Sequence, residues 1–157
     1  MRRERTAVWV MLLASVLLAG CEPEATRDEA GSVVTDGAID AFAMKVGDCF
    51  DDQMADQIVD VPGRPCSEPH DNEVYAIFDV VLNEYPGEDE MMRIAEEKCV
   101  ARFEAFVGRD YPSSELYVMP LTPTAEGWAR LNDREVICAL FRGDGEKLTG
   151  TMRGAAI

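Results

Sequence analysis

The residue best suited to acid–base chemistry is His70, the single histidine of the 157-residue chain. An imidazole titrates near neutral pH, so His70 could act as a general base beside the carboxylates of Asp71 and Glu73. Such a site also needs a nucleophile and a group that orients the ring, and neither stands at a recognisable spacing. We therefore expect the ring nitrogens of His70 to bond the surrounding loop. The candidate binding residues are His70, Asp71 and Tyr75.

Cys21 closes an N-terminal segment that is built like an export signal. Basic residues at positions 2, 3 and 5 precede an apolar run over residues 7–20. That run is shorter than the ~20 residues of a membrane-spanning helix. The stretch Leu-Leu-Ala-Gly-Cys at 17–21 resembles the bacterial lipobox, in which the cysteine sulfur receives a diacylglycerol and the chain is cut before it. We predict that residues 1–20 are a lipoprotein signal peptide and that the membrane is a partner through a lipid on Cys21.

The four remaining cysteines form an even set, which in an exported domain predicts two disulfides. We pair Cys49 with Cys66, because they flank a segment that looks like a hairpin. We pair Cys99 with Cys138, because this bridge would join a helix to a strand packed beneath it. A zinc site is not expected, since the chain lacks C-x-x-C and carries one histidine. No metal or other cofactor is predicted.

The chain is strongly acidic, with 30 Asp and Glu against 15 Lys and Arg and a formal net charge of −15. Such a surface repels nucleic acid and anionic lipid head groups, so we expect no nucleic-acid partner. One acidic run lacks the residue order of a calcium loop, and a solvated face is the expected role for Asp48, Asp51, Asp52, Asp56 and Asp60.

Composition divides the chain after the signal into two parts. Residues 21–41 are acidic and polar without a period, which predicts a flexible tether. Residues 42–157 carry the globular domain. Strand patterns occur at residues 57–61, 73–82, 116–119, 134–142 and 148–152.

A helix is predicted over residues 88–107, with a stripe at Met92, Ala95, Cys99, Phe103 and Phe106. In the strand at 73–82, Val74 and the alternate apolar residues should face this helix, leaving Tyr75 on a face that is partly wet. The layers predict an α+β, two-layer domain. A mainly antiparallel sheet of about five strands carries one long helix on one face.

Two sequence blocks carry a family resemblance: Lys-Val-Gly-Asp-Cys-Phe-Asp at 45–51 and Cys-Ser-Glu-Pro-His-Asp-Asn-Glu-Val-Tyr at 66–75. They resemble the septum formation family of actinobacterial exported and membrane proteins. Cys99, Trp128 and residues 134–138 and 150–154 fit in the same order. The resemblance implies an envelope location and a link to cell division. It implies no established reaction and supplies no catalytic residue.

Two functions are compatible with these observations. The first is a non-enzymatic binding or scaffolding module, lipid-anchored on the extracytoplasmic face of the cell membrane, that contacts an envelope protein or a cell-wall component. The alternative is an uncharacterised envelope hydrolase that uses His70 with nearby carboxylates. The missing catalytic set favours the first.

Overall fold

The computed structural model describes residues 23–54 and 58–157, so Cys21 and the predicted signal peptide lie outside the described residues. One antiparallel sheet has the strand order β1-β3-β2-β4-β6-β5. Its strands are β1 Gly37–Asp40, β2 Cys49–Phe50, β3 Asp60–Arg64, β4 Asn72–Asp79, β5 Leu116–Leu121 and β6 Glu135–Arg142. The helices are α1 Glu88–Val107 and α2 Ala125–Arg130, with 3₁₀ turns at Ala41–Ala43 and Tyr111–Ser113. Within this described part, no helix combines the length and apolar character needed to cross a bilayer. The predicted α+β class is confirmed.

Helix α1 has the bounds that its sequence pattern predicts. Acidic residues fill its first turn, where the helix dipole favours negative charge. Gly108 ends it in the left-handed conformation, at φ 82°, and donates its N–H to the Glu104 carbonyl. The buried stripe begins at Met91 rather than Met92, which is 43% exposed. Both methionines lie one turn before Ala95, and only Met91 lies on the side that meets the sheet.

Strand β4 contains a bulge that the alternating pattern does not reveal. Val74 pairs with Ala139 and Ala76 pairs with Cys138, so Tyr75 is an extra residue between two adjacent positions of β6. The inserted residue changes the alternation, and Tyr75 packs on the α1 side while Val74 packs on the opposite face. The prediction that Val74 faces the helix is therefore wrong.

The face of the sheet away from α1 is also covered, so the prediction of one wet face is wrong. A second apolar cluster lies there and consists of Val33, Ile39, Met44, Phe50, Val61, Val74, Ile137 and Ala139. Three of these residues precede β2 in the chain. The N-terminal part of the protein thus supplies the second layer of packing.

The stretch predicted to be a flexible tether carries defined structure from Pro23 onward. The N–H of Ala38 donates to the Pro23 carbonyl at 2.9 Å, and Ala25 donates back to Ala38 at the same distance. These bonds cover the outer edge of β1, and Val33 is buried. A few apolar residues suffice here because the edge of a sheet already offers unpaired backbone groups.

Two other strand predictions need correction. The strand predicted over 116–119 continues through Pro120 to Leu121, because β5 lies at the edge of the sheet, where a missing N–H is tolerated. The predicted last strand at 148–152 does not form. It is reduced to one bridge between Leu148 and His70.

Both predicted disulfides are present, Cys49–Cys66 and Cys99–Cys138. The second joins α1 to β6 across the two layers, and both of its cysteines are fully buried in the apolar cluster under the helix. The first joins β2 to the loop that precedes β4, where the surrounding buried side chains are polar.

Candidate functional site

His70 is fully buried at the end of the loop that Cys66 begins. Its Nδ1 lies 2.8 Å from the Glu68 carbonyl oxygen, and its backbone exchanges two hydrogen bonds with Leu148. The Nε2 atom is buried without a hydrogen-bond partner among the described residues. One ring nitrogen of His70 thus bonds its own loop, as expected from the sequence, while its backbone joins that loop to the C-terminal segment, which was not predicted.

The other two candidate binding residues lie in different surroundings. Asp71 is at the surface, where its carboxylate lies 2.8 Å from Lys147 Nζ and accepts the Asp52 N–H at 3.0 Å. Tyr75 is buried under α1, edge-on to Phe103 with ring centroids 5.8 Å apart. Burial raises the pKa of the Tyr75 hydroxyl above its ordinary value. The structure therefore does not assemble His70, Asp71 and Tyr75 into one patch.

Glu73, which the sequence suggests only as a carboxylate beside His70, is fully buried. It lies opposite Cys49 in the sheet and accepts hydrogen bonds from Thr151 Oγ1 at 2.5 Å and from the Met152 N–H at 2.6 Å. Burial raises the pKa of Glu73, and these two hydrogen bonds oppose that rise. The side chain fixes the C-terminal segment against the core, in place of the strand expected there.

Asp48 plays the matching role for the N-terminal segment. Its side chain is 2% exposed, so it does not belong to a solvated acidic face. Arg27 holds it with a two-pronged ion pair, in which Nη1 bonds Oδ1 and Nη2 lies 2.6 Å from Oδ2. The Lys45 N–H donates to the same carboxylate at 2.8 Å. Such a bidentate arginine–carboxylate pair is both strong and directional.

Potential metal-ligand atoms meet at one place near these residues. The sulfurs of Cys49 and Cys66 and a carboxylate oxygen of Glu73 lie within 4.8 Å of one another. The two sulfurs are joined as a disulfide, and metals bind the thiolate form of cysteine. In the oxidised protein this cluster therefore offers a metal only one ligand atom.

An apolar groove of about 590 Å³ lies at the far end of the second apolar cluster. Its walls come from the turn after β1, the residues just before β3, the end of β5, the α2 region and the start of β6. Phe42, Val59 and Leu131 are each more than three-fifths exposed, although they are large and apolar. Leu121 and Ile137 lie between them as the floor. Apolar side chains concentrated in one concavity are the usual mark of a binding surface.

Carboxylates line one rim of this groove. Glu135, which begins β6, and Asp133, two residues before it, belong to the groove lining. Asp79 of β4 lies outside the lining and stands directly opposite Glu135. Burial raises the pKa of Glu135, and the negative charges of Asp79 and Asp133 add to the rise. Glu126, also on the rim, pairs with Arg130 at 2.9 Å. The groove lining therefore carries three carboxylates, Glu126, Asp133 and Glu135, against one cation, Arg130.

The groove could not be recognised in the sequence. Its lining residues are separated by up to 96 positions in the chain, from Ala41 to Ile137, and each segment alone looks like an ordinary turn or strand end. The only local sign of it is that Asp133 and Glu135 lie at the start of a strand. Their role becomes clear only when Asp79 is found opposite Glu135 in the sheet.

Comparison with known proteins places the chain in one family. The sequence profile described as septum formation matches residues 46–156, well over half of the chain. No curated protein and no solved structure matches it. The matched region contains both disulfides, the buried Glu73 and the C-terminal segment that Glu73 holds. The chain therefore belongs to the septum formation family.

Proposed function

We propose that this protein is a non-enzymatic binding or scaffolding module of the cell envelope that acts in septum formation. A lipid on Cys21 holds it on the extracytoplasmic face of the cell membrane. Its family membership supports the link to the septum. Its partner is an envelope protein or a cell-wall component.

The exposed apolar groove is the observation that carries this proposal. Phe42, Val59 and Leu131 leave apolar surface in water around one concavity, which costs free energy unless a partner covers it. Within the described residues, the groove lining holds no histidine, cysteine, serine or lysine. The one histidine, His70, is buried elsewhere with Nδ1 occupied by a backbone carbonyl.

The structure also gives the groove rigid walls. Phe42 follows β1, and its N–H donates to the Asp40 carboxylate at 2.8 Å. The neighbouring Ala41 donates to the Val59 carbonyl at 2.9 Å, which links two of the walls. On the third wall, Leu131 donates its N–H to the Gly127 carbonyl at 2.9 Å. A preformed surface loses less conformational entropy on binding, and this favours a recognition role.

In-cell crosslinking tests the binding role. A photoreactive amino acid placed at Val59 or Leu131 should capture a partner during division, because both side chains are exposed in the groove. The same amino acid at Met92 on α1, which is also exposed, is the matched control. Equal capture at all three positions, or capture at Met92 alone, contradicts the assignment of the groove as the binding surface.

Fractionation tests the anchor independently. Cys21→Ser should move the protein from the membrane fraction to the soluble extracytoplasmic fraction, because the acyl acceptor is lost. A variant that stays in the membrane fraction contradicts the lipid attachment. Hydrolysis of envelope polymers by the purified protein, abolished by His70→Ala in a folded variant, would overturn the non-enzymatic assignment.

A further inference from the structure

We propose that the groove binds a peptide segment in which a large apolar side chain stands next to Lys or Arg. The apolar side chain contacts Phe42, Val59 and Leu131, and the cation lies against the carboxylates of Asp79, Asp133 and Glu135. This inference rests on the proposed binding function and names the chemistry of the partner.

The apolar half of the proposal follows from exposure and shape. A groove of about 590 Å³ can hold several side chains, and its apolar walls are fixed by backbone hydrogen bonds rather than formed on binding. The walls surround a floor of Leu121 and Ile137, which belong to the sheet. A rigid apolar concavity of this kind selects a partner that inserts apolar side chains.

The cation in the proposal is inferred from neighbouring carboxylates whose mutual repulsion destabilises the fold. Asp79 and Glu135 are direct cross-strand neighbours, and like charges at such positions are destabilising. Asp133 adds a third carboxylate, and its Oδ1 accepts the Glu135 N–H at 3.0 Å. Within the described part of the chain, no ion pair neutralises any of these three side chains.

The nearest basic residue in the sequence is committed elsewhere. The Arg134 guanidinium stacks on Trp128, 3.5 Å from the ring centroid, and donates to the Trp128 carbonyl at 3.0 Å. The described part of the chain thus leaves Asp79, Asp133 and Glu135 beside an exposed apolar groove without an ion-pair partner, since Arg130 of the groove pairs with Glu126. A local arrangement that costs stability without an internal compensation is expected at a functional site, and a partner cation provides the compensation.

Charge also decides between classes of occupant. A second copy of this chain would bring another formal charge of −15 against the same rim. Anionic lipid head groups and nucleic acid would be repelled in the same way. A basic segment with apolar side chains is complementary to both the groove and its rim, so this occupant is favoured.

The test uses the full chain in nanodiscs of zwitterionic lipid and three fluorescein-labelled peptides of equal length. The first peptide has leucines flanked by lysines, the second has the lysines replaced by glutamates, and the third has the leucines replaced by serines. Fluorescence anisotropy measures binding. Only the first peptide should bind well, and added salt should weaken it because its lysines contribute through charge.

Variants then assign the two halves of the site. Leu131→Ser should weaken binding of the lysine–leucine peptide by about tenfold, because it removes one apolar contact. Glu135→Gln should weaken it by about threefold, in the range of one exposed ion pair. The control Glu96→Gln, which removes the same charge from an exposed position on α1, should leave binding unchanged.

Glu135→Gln also separates a binding role from a structural one. It removes the repulsion with Asp79, so the melting temperature should rise while peptide affinity falls. A fall in both, or a rise in both, overturns the proposal, as does equal binding of the lysine and glutamate peptides. If groove crosslinks persist in cells while the peptide preference is absent, the proposed function stands and this inference fails. If the crosslinks are absent too, both fail.

Discussion

The two disulfides lie in contrasting halves of one small domain. Cys99–Cys138 is surrounded by apolar side chains under α1, where burial alone accounts for the packing. Cys49–Cys66 lies on the side that holds the buried polar residues, Asp48, His70, Asn72 and Glu73. The first half is therefore held by the hydrophobic effect. The second combines an apolar cluster with buried hydrogen bonds and several ion pairs, of which Arg27–Asp48 is the most buried.

The difference shows how this fold secures its two ends. The polar half receives the N-terminal segment through Arg27 on Asp48, and the C-terminal segment through Thr151 and Met152 on Glu73. Each segment also buries a few apolar residues, Val33 in the first and Leu148 and Met152 in the second. Buried charged groups give each segment one specific position, because leaving such a group unpaired is costly.

The largest expected effect comes from removing each bridge in turn. Cys99→Ala with Cys138→Ala should lower the free energy of unfolding by about 4 kcal/mol, and Cys49→Ala with Cys66→Ala by about 3 kcal/mol. The chain-entropy argument gives this order because the bridged residues are 39 and 17 positions apart. Urea unfolding of both double variants measures the values. A larger loss for the Cys49–Cys66 pair would show that the polar half depends on its bridge for more than chain entropy.

The next effect isolates the N-terminal ion pair. Arg27→Met should lower the free energy of unfolding by about 1–3 kcal/mol, because the buried Asp48 carboxylate loses its cation. This is less than for a fully buried pair, since the Arg27 side chain is 20% exposed. Arg93→Met on α1, which breaks two exposed ion pairs, should leave stability essentially unchanged, because water and salt screen exposed pairs. Similar losses of stability in Arg27→Met and Arg93→Met would contradict the conclusion that the buried ion pair stabilises the fold and the exposed pairs do not.

A smaller effect depends on pH and tests the hydrogen bonds by which Glu73 holds the C-terminal segment. Its pKa is raised in the folded protein, so this group contributes stability below its ordinary pKa of 4.5. That contribution is lost as the pH rises through the folded-state pKa. In Glu73→Gln the amide can still accept the Met152 N–H and can donate to the Thr151 hydroxyl, but it no longer titrates.

The measurement is urea unfolding at stepped pH. The stability of Glu73→Gln relative to wild type should increase as the pH rises above about 4.5, with a slope of at most about 1.4 kcal/mol per pH unit. The surface variant Glu96→Gln provides the comparison curve. A relative stability of Glu73→Gln that falls over this pH range would mean that the carboxylate is stabilised, rather than penalised, by its surroundings.

The smallest expected change in stability concerns the apolar half of the domain, which packs under α1. Tyr75→Phe removes a buried hydroxyl that has no hydrogen-bond partner among the described residues, so it should leave stability unchanged or raise it by about 1 kcal/mol. Thermal unfolding of the variant measures this change. A loss above that size would reveal a polar contact within the apolar half and weaken the contrast between the two sides.

Sequence alone predicts the helix side well. The apolar stripe of α1, its acidic first turn and Gly108 at its end are all local signals, and they give both bounds of the helix. The pairing of Cys99 with Cys138 follows, because both lie on faces that must meet. The bulge at Tyr75 could not be predicted, since one extra residue leaves the apolar alternation of β4 looking regular.

The polar half and the groove depend on contacts between distant segments. The Arg27–Asp48 pair spans 21 positions and the Glu73–Met152 bond spans 79, and no periodicity marks either partner. Composition marks residues 21–41 as polar and predicts a tether, but it could not show that Arg27 and backbone bonds to Ala38 would hold this stretch from Pro23 onward. The groove likewise exists only after α2 has been placed beside the turn at Ala41–Ala43.

The hydrogen bond to Pro23 limits how far the folded domain can lie from Cys21. Pro23 stands two positions after Cys21, and its carbonyl is already bonded to Ala38 of the sheet. With an acyl chain on Cys21, no more than ~7 Å of backbone would separate the bilayer from the folded body. Releasing Arg27 from Asp48 would not lengthen this connection, because the backbone of Pro23 and Ala25 is bonded to Ala38 independently of the ion pair.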